Sequence, residues 1–282
     1  MRRNYPHGTL IERKISNGEV DSILLDLSQK YKLWSELSGV LNSENNNELE
    51  KKVCALNEYK NFVDELTYNK YFIMQDKMSS SIMEEFLFYL FKDIPSIKSN
   101  MSEGLIYMGS ANAYTDLSFA PKNLKDFLTY PNIFINYKNQ DFTISKLIKC
   151  LFECNGCQEY REIIVPTVAV ECKTFIPSTM LGQSIYEAQL LKQGNPYSLY
   201  IVVAEQNALS DDVNLKNIKN IPIDEIFILR KQKRNSMKNK ISDKKPIDYQ
   251  VIKELYDFVK DYLNKEWFNN QKATERGRLI RF

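Results

Sequence analysis

The chain is 282 residues long and contains a single histidine, His7, close to its start. One histidine leaves no material for zinc hydrolase centres or for Ser-His-Asp and Cys-His triads, and the nucleophile-elbow pattern G-x-S-x-G does not occur. Catalysis, if present, falls to carboxylates, lysine, tyrosine or cysteine. No stretch approaches the ~20 consecutive apolar residues of a membrane span. The basic start MRRNYPHGTLIERK is not followed by an apolar signal core, so a cytoplasmic location is expected. Charge of either sign is also scarce in the net: 38 basic and 36 acidic side chains leave +2, too little for a chain that coats nucleic acid along its whole surface. Nucleic-acid contact would need local clustering. One cluster exists, Arg230, Lys231, Lys233, Arg234, Lys238, Lys240, Lys244 and Lys245, although a solvated lysine-rich loop reads the same way.

Five cysteines in a chain without an export signal are expected to be free thiols. Cys150, Cys154 and Cys157 lie close together, with Cys54 or Cys172 as distant fourth ligands of a zinc site. A second C-x-x-C is missing, which favours a loop that merely carries thiols.

Residues 1–75 read as helical, with apolar spacing over 19–40 and 48–69 and an Asn-rich connection at Asn42–Asn47. In SSSIMEEFLFYLFKDIP, Ser81 and Glu84 have capping-box spacing, and apolar residues then run almost all round the helix. Three strand-like runs follow. NIFINY (132–137) leads into a polar turn, Lys138-Asn139-Gln140. DFTISKLIKCLF (141–152) and EIIVPTVAVECKTF (162–175) would pair through a loop, CNGCQEYR. After Pro177 the spacing becomes helical until Gly194-Asn195-Pro196. YSLYIVVAE (197–205) then reads as a strand buried on both faces, with 223–230 as another strand and 247–268 as an amphipathic helix. The order predicts an α/β fold, a mixed sheet flanked by helices with a helical N-terminal region. Three regions follow, 1–75, 76–235 and a basic loop and helix over 236–282, packed as one unit.

An apolar strand that ends abruptly in Glu171-Cys172-Lys173 needs a reason. Residues two apart share a face, so Glu171 and Lys173 emerge together while Cys172 turns inward with Val168 and Val170. In an antiparallel pair the end of one strand meets the start of its partner, which brings Asp141 to Glu171. Two carboxylates there suit a hard cation such as Mg²⁺, completed by waters and a substrate phosphate. The lysine can orient a water or stabilise phosphate charge. An E-x-K triplet alone could be an exposed ion pair; its strand context is what gives it weight.

Helix, strands, an acid at a strand start, Glu-x-Lys at the next strand's end, helix, strand: this order resembles the PD-(D/E)xK nuclease superfamily over about residues 80–230. Within it, VAVECKTFIPSTML followed by NPYSLYIVVAE is similar to type II restriction endonucleases. The resemblance implies Mg²⁺-dependent hydrolysis of double-stranded DNA to 5′-phosphate ends. Asp141 and Glu171 would hold the metal with the main-chain carbonyl of Cys172, and Lys173 would serve the water. It also implies a dimer or related second subunit, and a matching DNA methyltransferase. The proline that usually precedes the first acid is Gln140 here, which leaves Asp116 as a rival to Asp141. A further acid on the helix before the sheet points to Glu84 or Glu85; Glu84 is committed to the capping box, so Glu85 is expected in the site. Lys192 and the basic 230–245 segment are expected phosphate contacts, and the N-terminal helices and the 206–222 loop are expected to read bases. The alternatives are a nuclease of the same superfamily without sequence specificity, and a non-catalytic DNA-binding protein.

Overall fold

A computed structural model of the chain describes residues 5–18, 22–68, 77–211, 213, 221–234 and 244–277. Lys238, Lys240 and most of the 206–222 loop beyond Asp211 lie outside them. The N-terminal region is helical as expected: α1 (Pro6–Ser16), α2 (Ser22–Val40) and α3 (Asn46–Tyr68). It leads into α4 (Met78–Phe91) and α5 (Pro95–Ser102). Helix α4 is buried nearly all round, but it begins a turn before the expected capping box. Lys77 is its N-cap, and Ser81, inside the helix, returns its hydroxyl to the carbonyl of Met78 at 3.2 Å. Burying Met78 outweighs the local cap.

A five-stranded sheet follows in the order β1 (Tyr107–Phe119), β2 (Ile133–Cys154), β3 (Cys157–Ile176), β4 (Leu199–Asn207), β5 (Glu225–Ile228). The short helix α6 (Leu124–Thr129) connects β1 to β2. Two expectations change here. Lys138, Asn139 and Gln140 form no turn; they pair with Ala113, Asn112 and Ala111, so β2 is continuous through them. Of the three, Asn139 is exposed, Lys138 half-buried and Gln140 fully buried, and β1 satisfies their backbone groups. The predicted loop CNGCQEYR shrinks to Asn155-Gly156. Both have positive φ (50° and 80°), and Cys154 lies opposite Cys157, which is the geometry of a type I′ hairpin with its Asn-Gly preference.

Strand β3 is where the sheet changes character, antiparallel to β2 and parallel to β4. The crossover between β3 and β4 is α7 (Ser178–Gly194), and β4 is buried on both faces between β3 and β5. The period-2 alternation splits the core in two. Val168, Val170, Cys172, Ile201 and Val203 face α4 and the N- and C-terminal helices. Ala169, Tyr200, Val202 and Ala204 face α7. Helix α8 (Tyr249–Asn264), capped by Asp248, closes the first side, and α9 (Asn270–Glu275) follows it. Asn57 of α3 exchanges two hydrogen bonds with the backbone of Ile247, tying the two ends of the chain together.

Candidate active site

The hairpin register brings the expected residues together. Phe142 pairs with Val170, so Asp141 and Glu171 stand one residue further on, side by side. Asp141 sits within β2, not at its start, and its Oδ2 accepts a 2.9 Å hydrogen bond from the backbone N–H of Cys172. Glu171 and Lys173 emerge on the same face and form an ion pair, Lys173 Nζ to Glu171 Oε1. Cys172 turns into the core between them, and burial pushes its thiol pKa up.

The acid that joins this pair from α4 is Glu84. Burial, then the charge of Asp141, pushes its pKa up to about 8, with Glu171 adding to the effect. Glu171 itself rises to about 7, first through burial and then through Asp141. Burial opposes the charge on Lys173, yet Glu171 and Asp141 more than offset it and hold its pKa above normal.

Glu85 lies elsewhere, and the expectation that it joins the site is corrected. Its Oε2 accepts from the backbone N–H groups of His7 and Gly8, both at 3.0 Å, at the N-terminus of α1. Its Oε1 accepts from the hydroxyls of Tyr31 (2.8 Å) and Tyr89 (3.1 Å). Neighbours on a helix point about 100° apart, so one glutamate meets the sheet and the next meets the N-terminal helices. His7 belongs to the same cluster. It is fully buried, 2.9 Å from Ser81 Oγ through Nδ1 and 2.6 Å from the Tyr59 hydroxyl through Nε2. Burial, helped by Lys60, lowers its pKa to about 3.

Asp116 pairs with Asn136 far along the β1–β2 ladder and does not approach Glu171. Cys150, Cys154 and Cys157 stand on the hairpin ribbon, apart from buried Cys172 and from Cys54 on α3. Among the described residues no three His, Cys, Asp or Glu side chains form a ready-made metal cage. The hard-cation fit rests instead on two adjacent carboxylates, Asp141 and Glu171, whose mutual repulsion a divalent ion would relieve.

The expected phosphate contacts are mostly engaged. Arg230 is buried, donating from Nε to Glu205 Oε2 (2.9 Å) with Lys60 on the same carboxylate (2.9 Å). Lys231 pairs with Asp248, Lys233 with Asp211 and Lys244 with Asp64, while the Arg234 guanidinium stacks on Phe175. Lys192 is held by both oxygens of Asp224.

Sequence reasoning passed over Glu187 and Lys138. Glu187 lies on the buried face of α7 with Leu181, Ser184, Ala188 and Leu191. A charged residue on an apolar stripe is the signal that could have found it.

Comparisons with known proteins complete the description. The family model of the Bpu10I restriction endonuclease matches residues 75–242. The solved structure of the native BbvCI A2B2 tetramer at low resolution aligns with a TM-score of 0.70, covering 92% of this chain and 96% of that one at 19% identity. At that identity the likeness concerns the fold, a restriction-endonuclease-like mixed sheet. A search of curated proteins finds no match.

Proposed function

This chain belongs to the Bpu10I restriction endonuclease family, and on that premise we propose how its residues carry out the cleavage. As a type II site-specific endonuclease it cuts DNA. The finer reading is Mg²⁺-dependent hydrolysis that leaves 5′-phosphates. The observation that carries it is the convergence of Asp141, Glu171 and Lys173 where β2 meets the end of the buried strand β3.

Asp141 and Glu171, with the main-chain carbonyl of Cys172, would hold the metal. A bound Mg²⁺ would supply Lewis-acid polarisation of the phosphate and a lowered pKa for an attacking water. Lys173 orients that water and neutralises charge that develops on phosphate oxygens. Its partner Glu171 keeps the ammonium charged and aimed. The backbone N–H of Cys172 fixes the Asp141 carboxylate, so one metal acid is set before substrate arrives. Glu84 takes the place assigned to Glu85 as the third acid; at about pH 8 and below it retains a proton much of the time and limits the repulsion among three carboxylates.

One such centre cuts one strand. The structural neighbour's assembly contains two kinds of chain, each in two copies, which favours action with a second copy or a related second subunit. A methyltransferase of matching specificity would protect the host's own sites.

The test is plasmid cleavage with Mg²⁺ or with EDTA, comparing the natural chain and Lys173→Ala. Discrete nicks or fragments that need Mg²⁺ and disappear in the variant are the expected result. Cleavage that persists in EDTA, or an unaffected Lys173→Ala, would overturn the metal-and-lysine mechanism. A smear would remove the sequence specificity from the reading.

A further inference from the structure

Glu187 is 2% exposed. An ionised carboxylate so deeply placed needs hydrogen bonds and a cation. It has both on one oxygen: Oε1 accepts from Gln183 Nε2 at 2.8 Å and pairs with Lys138 Nζ at 2.9 Å. The pair is lopsided. The Glu187 side chain is 3% exposed and that of Lys138 34%, so a fixed buried anion holds a cation that still reaches solvent. Lys138 precedes Asp141 by three residues on β2, and the charge of Glu187 is felt by both Glu171 and Lys173. The pair therefore borders the acid centre.

The spacing between its two elements is also fixed. Lys138 pairs with Ala113 on β1, and α7 presses its last turn onto that strand: a Cβ on Gly194 would lie 2.5 Å from the carbonyl oxygen of Thr115. As a stabilising device a buried ion pair is poor, since apolar residues of the same volume commonly do as well or better. As a way to aim a lysine it is effective, because a point charge on a flexible stem has no direction of its own.

We propose that Glu187 is a positioning residue that holds Lys138 at the mouth of the acid centre as a contact for a DNA backbone phosphate. This rests on the nuclease reading, but its binding test does not require cleavage. Binding of a mixed-sequence DNA duplex is measured against salt concentration, with Ca²⁺ in place of Mg²⁺, for the natural chain, Lys138→Ala and Lys138→Arg. Loss of one phosphate contact lowers the slope of log K against log salt by about 0.9. That decrease is expected for Lys138→Ala, with Lys138→Arg close to the natural slope. An unchanged slope in Lys138→Ala would overturn the phosphate contact.

The role of Glu187 is read from a cycle of single-turnover plasmid cleavage rates: natural chain, Lys138→Ala, Glu187→Gln and the double variant. A positioning residue acts through its lysine, so Glu187→Gln is expected to slow the natural chain and to add nothing in the Lys138→Ala background. Equal slowing in both backgrounds would overturn the positioning role. If the natural chain cuts no plasmid, the reading of this chain as a nuclease acting without a second subunit fails, while the salt slopes still decide the phosphate contact.

Discussion

Replacing Glu84 by glutamine removes the most strained ionisation in the site and should stabilise the metal-free protein at high pH. In the unfolded chain this carboxyl titrates near 4.5, in the folded one near 8, because burial and the charges of Asp141 and Glu171 disfavour its anion. The folded state thus binds the proton more tightly, so this group's contribution to stability is complete below about pH 4.5 and is lost as pH rises to about 8. At roughly 1.4 kcal/mol per pH unit over that interval the ceiling is about 5 kcal/mol; relaxation and water entry reduce the expected gain of Glu84→Gln to a few kcal/mol. Urea unfolding in EDTA, at about pH 5 and about pH 9, measures it. The difference in stability between variant and natural chain should grow with pH, and Mg²⁺ should shrink it. A difference that stays constant from acid to alkaline pH would refute the placement of Glu84 against Asp141 and Glu171.

Three further outcomes follow from the same geometry. Glu85→Ala strands four donors, the N–H groups of His7 and Gly8 and the hydroxyls of Tyr31 and Tyr89, and should cost several kcal/mol in urea unfolding. Below its lowered melting temperature it should still cleave plasmid, and complete loss of cleavage in a folded variant would return Glu85 to the site. Gly194→Ala drives a methyl group toward the Thr115 carbonyl and should destabilise by about 1–3 kcal/mol, read by thermal melting. His7, lowered from 6.5 to about 3, contributes stability that is complete above about pH 6.5 and disappears as pH falls toward 3. His7→Asn should flatten that acid limb, and an unchanged limb would show that His7 does not titrate in its buried setting.

The parts of the fold that were legible in the sequence are those whose signal is local. Strand β4, helix α7 and the end of β3 announce themselves by apolar runs and by Pro177 and Gly194-Asn195-Pro196. The meeting of Asp141 with Glu171 follows from antiparallel pairing alone. Strand β1 carries no apolar run to announce it, since Gly109 to Ser118 is rich in small and polar side chains that a single neighbouring strand tolerates. Lys138-Asn139-Gln140 imitates a turn because three consecutive polar side chains hide a continuous strand. The choice between Glu84 and Glu85 could not be made from spacing. It is decided by where α4 starts, and by α1, which arrives from some 77 residues earlier to claim one carboxylate and leave the other to the sheet.

The bonds between the two ends of the chain set an order of events during synthesis. Hairpin β2–β3, with Asp141, Glu171 and Lys173, closes through a two-residue turn and can form as soon as it emerges. Helix α8 waits far longer: Asn57 meets Ile247, just before it, across 190 residues, and its Lys260 meets Glu44 across 216. A ribosome would have released most of the chain before the layer behind Glu84 could close. The acid pair is thus local in the chain, while the layer behind it is closed by the last long helix, an order set by connectivity alone.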